Sequence, residues 1–263
     1  MDLGIKNKVA LVTAASQGLG KASAIELANE GVKLAICSRD QDKINQTAEE
    51  IQNLTGGEVL AVKADLDSTD DIENLIKEIE NKFNTVDILV NNTGGPKAGF
   101  FDDLSDEDWL KTFESTFLSA VRVTRKVLPF MKKNKWGRII NISSVSAKQP
   151  IDNLMLSNGV RMSIHGWAKT LSNQVASDNI LINNVCPGFT HTERVDGLIK
   201  EQLKNSNSSR EDIIESIASD IPAKRVGQAE ELAALVTFLS SEKASYITGQ
   251  SIAVDGGISS LPI

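Results

Sequence analysis

Short apolar runs rich in Val, Ile and Leu recur along the chain, at Lys8–Thr13, Val32–Cys37, Glu58–Lys63, Val86–Asn91, Gly137–Ile142, Ile180–Val185 and Gln250–Val254. They show little polar alternation, as strands buried on both faces do. Amphipathic stretches separate them, at Gly18–Glu30, Asp40–Leu54, Thr69–Phe83, Asp106–Lys133, Leu154–Ala176 and Ala229–Ser240. The alternation is that of repeated βαβ units and predicts an α/β fold: a doubly wound, seven-stranded parallel sheet with helices on both faces. One domain covering residues 1–263 is expected. Ser105, followed by Asp106, Glu107 and Asp108, supplies a cap and three negative charges to a first turn, so a long helix is expected to begin there. The stretch 189–222, rich in Asn, Ser, Glu and Lys, departs from the pattern and reads as an excursion that forms a lid over a substrate.

Composition narrows the function. The 263 residues are 41% hydrophobic and 24% charged with a formal net charge of −7, so the chain's own field repels polyanions and nucleic acid is not an expected partner. Met1–Lys8 is polar and the run Val9–Val12 is too short for a signal core or a membrane span, so a cytoplasmic protein without a membrane partner is expected. Cys37 and Cys186 each lie in an apolar run, which suits reduced buried thiols and neither a disulfide framework nor a metal site.

The first apolar run leads directly into Thr13-Ala14-Ala15-Ser16-Gln17-Gly18-Leu19-Gly20 and then a helix, the setting of a dinucleotide-binding turn in a Rossmann-type domain. Small residues let the backbone approach a pyrophosphate, and the helix N-terminus offers free N–H groups. The plainer alternative is a tight turn that needs glycine for geometry only. At the end of the second run, Ser38-Arg39 stands where an NAD site would place an acid for the ribose 2′-OH; Arg39 can instead pair with a 2′-phosphate, which favours NADP over NAD. Asp65-Leu66 and Asn91-Asn92-Thr93-Gly94 follow the third and fourth runs, at strand ends where open parallel sheets bind ligands.

These residues make the chain resemble, nearly end to end, the short-chain dehydrogenase/reductase family, and within it the 3-oxoacyl-acyl-carrier-protein reductase-related sequences. The turn Thr13–Gly20 resembles the family's Thr-Gly-x3-Gly-x-Gly with Ala14 at the first glycine, and Asn91–Gly94 resembles its Asn-Asn-Ala-Gly. Ile142-Ser143-Ser144, Pro187-Gly188 with Thr192 beyond, and Thr248-Gly249-Gln250 through Asp255-Gly256-Gly257 complete the set. The resemblance implies a carbonyl or alcohol substrate and an NADP-binding set of Thr13, Ala15, Ser16, Gln17, Gly18, Leu19, Ser38, Arg39, Asp65, Leu66, Asn92, Gly94, Arg161, Pro187, Gly188 and Thr192. It also implies a homo-oligomer, commonly a tetramer.

The family's chemistry uses a serine, a tyrosine, a lysine four residues later and a helix asparagine. Ser144 matches the serine, but the other positions fall on Ser157, Arg161 and Thr116, and the only tyrosine, Tyr246, is remote in the order of elements. A serine hydroxyl is far less acidic than a phenol, and Arg161 stays charged, so Ser157 is a poor general acid and Arg161 no proton shuttle. Arg161 can still hold the nicotinamide ribose, bind a substrate carboxylate or stabilise an oxyanion. His165, His191 and Lys148 are further candidates for proton relay. The expected function is an NADP(H)-dependent oxidoreductase with Ser144, Ser157 and Arg161 as its catalytic positions. The rivals are a non-catalytic NADP(H)-binding sensor or inactive partner subunit, and a different reaction on a carboxylated substrate held by Arg161.

Overall fold

A computed structural model of the chain describes residues 1–204 and 209–260. Seven strands, β1 Val9–Val12, β2 Lys33–Ser38, β3 Val59–Lys63, β4 Ile88–Asn91, β5 Gly137–Ile142, β6 Ile180–Pro187 and β7 Ser251–Val254, form one sheet in the order β3-β2-β1-β4-β5-β6-β7. Every pairing is parallel. Alternation along β1 divides the core: Ala10 and Val12 pack on one face of the sheet, Val9 and Leu11 on the other. Helices α1 Gly18–Asn29, α2 Gln41–Thr55 and α9 Ala229–Leu239 cover the first face with residues such as Leu27, Ile51 and Val236. Helices α3 Thr69–Phe83, α5 Ser119–Asn134 and α6 Met155–Val175 cover the second with Leu75, Val127 and Ala168. The sheet and its two helical layers are those expected.

A row of buried amides fixes register across β4 to β7. Asn91 Nδ2 donates to Asn141 Oδ1 at 2.9 Å, Asn141 Nδ2 to Asn184 Oδ1 at 2.9 Å, and Asn184 Nδ2 to Ser251 Oγ at 2.9 Å. These are the pairs that the sheet places directly side by side. A one-residue slip would leave buried amides unpaired, so the row aligns the carboxyl ends of four strands.

Two elements differ from expectation. The single helix expected over Asp106–Lys133 is α4 Asp106–Thr112, a π-helical turn at Phe113–Leu118, and then α5. Ser105 starts it as its sequence foretold: its hydroxyl accepts from Asp108 N–H at 3.3 Å while Asp108 accepts from Ser105 N–H at 3.0 Å. Hydrophobic period alone does not register an extra residue in one turn, which is why the π turn escaped it. Within 189–222, two helices appear, α7 Glu193–Lys204 and α8 Arg210–Asp220, and residues 205–208 of that expected lid lie outside the described residues.

Among the described residues, α7 and α8 share a core of their own, with Val195 and Ile199 of α7 against Ile213 of α8. A cluster separate from the main core can open on its own. Ile213→Ala, costing about 2–5 kcal/mol where it is felt, should speed amide exchange in α7 and α8 while leaving β1, β4 and β5 protected. Equal acceleration in the sheet would show that α7 and α8 are not a separate unit.

Candidate active site

The carboxyl ends of β1, β2, β4, β5 and β6 border one cleft of about 850 Å³. It lies where strand order reverses at β1, the place at which an open parallel sheet offers a crevice. Ser16, Gln17, Gly18 and Leu19 line it from the turn after β1. Gln17 gives the N-terminus of α1 no side-chain cap, so its first N–H groups are left for a ligand.

Thr13 and Ala15, expected among the cofactor contacts, do not line the cleft but shape the turn from behind. Thr13 Oγ1 donates to Asn92 O and accepts from Asn92 N–H, both at 2.8 Å. Ala15 is fully buried and its N–H donates to Cys37 O at 3.0 Å. Ala14, between them, takes a left-handed φ of 47°, the conformation that glycine adopts most easily. Gly20 must be glycine because a Cβ there would stand 2.6 Å from Asn92 Nδ2 and 2.7 Å from Ala14 O.

Ser38, Arg39, Asp65 and Leu66 line the far end of the cleft. Ser38 Oγ donates to Asp40 O at 2.9 Å, and Arg39 is exposed with its charge felt by Asp67. Lys43, on the first turn of α2, joins them and was missed. Its signal was a second cation close after Arg39 in sequence, at the start of the helix that follows β2.

At the other end, Ser144, Ser157 and Arg161 all line the cleft, with Asn92, Gly94, Pro187, Gly188 and Thr192 around them. Ser144 caps the short turn Val145–Ala147, its hydroxyl accepting from Ser146 N–H at 3.1 Å. Ser157 is buried and its hydroxyl lies 2.9 Å from that of Ser146. One Arg161 nitrogen donates to the carbonyls of Ile142 at 3.0 Å and Ser143 at 2.9 Å. Burial lowers the Arg161 pKa to about 10, so it stays charged at neutral pH.

The structure separates the remaining candidates from this group. His165, Lys148, His191 and Tyr246 do not line the cleft. His165 Nε2 lies 2.9 Å from Ser143 Oγ and 3.7 Å from Cys186 Sγ, and burial, with Lys148 and Arg161 nearby, pushes its pKa down to about 4. His191 and Tyr246 are exposed. Burial raises Cys37 to about 12 and Cys186 to about 11, so both remain thiols. Thr116 faces a separate void of about 10 Å³ with Asn91, Thr93 and Asn141. Among the described residues no cluster of His, Cys, Asp or Glu could hold a metal.

Sequence reasoning also missed Arg194, which reaches across from α7. Its terminal nitrogen donates to Pro96 O at 2.6 Å, and a Cβ on Gly95 would stand 2.5 Å from its Nε. Lys97, paired with Asp108 at 3.1 Å, lines the same mouth. Nothing in the strand and helix periods points to these contacts, because they join a loop to a helix far along the chain.

Residues 13–259 match the family described as enoyl-(acyl carrier protein) reductase. The NADPH-dependent reductase BacG of Bacillus subtilis is 36% identical over 254 residues, 96% of this chain and 98% of that protein. The 3-oxoacyl-[acyl-carrier-protein] reductase FabG of Aquifex aeolicus is 34% identical over 258 residues, 98% of this chain and all of its own. The crystal structure of L-sorbose reductase from Gluconobacter frateurii, complexed with NADPH and L-sorbose, superimposes with a TM-score of 0.95 at 32% identity, covering 99% of this chain and 100% of that one.

Two outcomes test the local account. Ala14→Gly removes a left-handed strain of about 1–2 kcal/mol against a flexibility cost of about 0.4–1 kcal/mol; denaturant unfolding should show a modest net gain, and a loss would refute the strain. For His165, the unfolded chain binds a proton near pH 6.5 whereas the folded chain waits until about pH 4. Its contribution is therefore complete above pH 6.5 and falls as the pH drops through that window. His165→Gln should flatten the decline in Tm between those values; an unchanged slope would assign the decline elsewhere.

Proposed function

The chain belongs to the short-chain dehydrogenase/reductase family, and from that premise we propose that it is an NADP(H)-dependent oxidoreductase interconverting a carbonyl and an alcohol through an atypical active site. One observation carries the reading: a single cleft joins an end lined by Arg39 and Lys43, among Asp40, Asp65 and Asp67, to a hydroxyl end at Ser144. The residues present suit such a cofactor. The N-terminus of α1 has no side-chain cap, a Cβ on Gly94 would meet nothing within 4 Å, and no acid occupies the Arg39 position to repel a 2′-phosphate.

In this reading Ser16–Leu19 hold the pyrophosphate on the α1 N-terminus, while Ser38, Arg39 and Lys43 take the 2′-phosphate. Asp65, Leu66, Asn92 and Gly94 bound the middle of the dinucleotide, and Pro187, Gly188 and Thr192 flank its nicotinamide. When bound, the nicotinamide supplies a hydride to the carbonyl carbon. Ser144 donates its hydroxyl hydrogen bond to the carbonyl oxygen, and the nearby Arg161 charge favours the alkoxide that develops there. Ser157, bonded to Ser146, keeps the wall polar but is too weak an acid to replace a phenol. Water in the cleft completes the alcohol by giving that oxygen a proton. The lid residues of α7 exclude bulk solvent, and their sequence sets substrate choice.

A second reading is a non-catalytic NADP(H) sensor or inactive partner subunit, favoured by the absence of any tyrosine from the cleft wall. The described helices include none long and apolar enough to cross a membrane, and we place the protein in the cytoplasm. Exposed Leu110, Phe113 and Met162 favour assembly as a homo-oligomer, a tetramer by family likeness.

Calorimetric titration should give tighter binding of NADPH than of NADH. Arg39→Ala should weaken NADPH about 10-fold or more, the worth of a charge-assisted contact, and leave NADH unchanged. Oxidation of NADPH by any member of a panel of carbonyl compounds supports the reductase. NADPH binding without turnover across the panel favours the sensor, and failure to bind either nucleotide refutes both.

A further inference from the structure

Helix α6 turns one polar stripe toward the segment that carries Ser144. Ser157, Arg161 and His165 stand at successive four-residue steps and so share one face of the helix. Each bonds to residues of the stretch 142–146. Ser157 Oγ lies 2.9 Å from Ser146 Oγ, Arg161 donates to the carbonyls of Ile142 at 3.0 Å and Ser143 at 2.9 Å, and His165 Nε2 lies 2.9 Å from Ser143 Oγ. Ser143, Ser146, Ser157 and Arg161 are all buried, so a bond lost among them leaves a desolvated polar group. Arg161 and His165 thus anchor Ile142 and Ser143 on one side of Ser144, and Ser157 anchors Ser146 on the other.

Ser146 faces two ways. Its hydroxyl meets Ser157, and its N–H donates to Ser144 Oγ at 3.1 Å. A serine hydroxyl has two acceptor lone pairs and one proton. The Ser146 N–H takes one lone pair of Ser144, and among the described residues no acceptor takes the Ser144 proton. That proton can therefore be donated into the cleft, which Ser144 lines and Ser146 does not. The contacts do not form a proton wire, because Ser157 meets the Ser146 side chain whereas Ser144 is held by the Ser146 backbone.

We propose that Ser146 is a positioning residue of the reaction, and that Ser157, where the family resemblance sets a tyrosine, acts through it. With Ser157 bonded to its side chain, Ser146 keeps its N–H aimed at Ser144 Oγ within the turn Val145–Ala147, and this fixes the direction in which Ser144 donates to the carbonyl oxygen. A bond of this kind does not change what binds in the cleft, since the Ser144 hydroxyl remains there without it. It changes how well the hydroxyl is directed at the oxygen on which charge develops, so its loss is felt in the chemical step. The proposal rests on the oxidoreductase reading, because it concerns the hydroxyl that polarises the carbonyl.

The test is a double-mutant cycle in the whole chain, with Ser146→Ala, Ser157→Ala and the two together. Each is assayed with NADPH and the member of the carbonyl panel that the unaltered chain reduces fastest, 2,3-butanedione, a small activated ketone, being included in that panel. Each single variant should lower kcat about 3- to 10-fold, the worth of one hydrogen bond, while the KM for the ketone and the calorimetric affinity for NADPH stay within about 2-fold. The double variant should lower kcat no further than either single one, because both remove the same bond. If circular dichroism shows that Ser146→Ala fails to fold, Ser146→Cys takes its place in the cycle. An unchanged kcat in the Ser146 variant, or a loss confined to NADPH affinity or to Tm, makes the bond purely structural and overturns the proposal. A larger loss in Ser157→Ala, with effects that multiply in the double variant, sets Ser157 directly against the substrate and also overturns it. In either case the oxidoreductase reading stands, whereas an unaltered chain that binds NADPH and reduces no member of the panel refutes that reading and the proposal together.

Discussion

The clamp between Thr13 and Asn92 is the contact on which the rest of the site depends. One threonine hydroxyl satisfies both backbone groups of Asn92 and so ties the end of β1 to the end of β4 where strand order reverses. With those ends fixed, the chain after β1 must turn sharply, which it does with Ala14 in a left-handed conformation and Gly20 against Asn92. The N-terminus of α1 is thereby aimed into the cleft, and the Asn92–Gly94 segment becomes the opposite wall. The asparagine row from Asn91 to Asn184 extends the same alignment to β5 and β6, whose ends bring Ser144 and Pro187 to the cleft.

Buried polar groups in this molecule are paired in a way that separates structural from functional ones. The sheet amides are satisfied by one another, Arg138 Nε and Nη1 by carbonyls with Nη2 left 3.6 Å from the Glu242 carboxylate, and His165 by Ser143, each at the cost of its desolvation and each fixing a geometry. Arg161, which the family resemblance sets where a lysine is expected, is buried and bonded to two carbonyls at the cleft wall. In the proposed reading, Ser157 and Arg161 in place of a tyrosine and a lysine remove an acid and leave a fixed cation. Chemistry at this site would depend on electrostatic stabilisation rather than on a tuned proton donor.

Much of this was legible in the sequence. Seven apolar runs and the helices between them follow from hydrophobic period, and the Thr13–Gly20 turn and Ser144 from small-residue and motif spacing, because each is a local consequence of a few neighbouring residues. The π turn at Phe113–Leu118 was not, since one extra residue in a helix leaves the apolar stripe almost unchanged. Nor was the contact between Arg194 and Pro96, which joins segments 98 residues apart. Thr13 and Ala15 were read as ligand contacts because the motif includes them, whereas their backbone and hydroxyl groups are spent on holding the turn. The isolation of His165 from the cleft depends on the rotation of α6 about its axis, which a spacing of four residues from Arg161 does not settle.

The central claim is that a nicotinamide in this cleft delivers hydride to a carbonyl although no phenol is present. Incubation of the protein with NADPH deuterated on the transferred position of C4, followed by mass spectrometry of the alcohol formed, tests it directly. The account expects one deuterium on the carbinol carbon of the product. Alcohol without the label, or no alcohol from protein saturated with the cofactor across neutral and anionic carbonyl compounds, would contradict it.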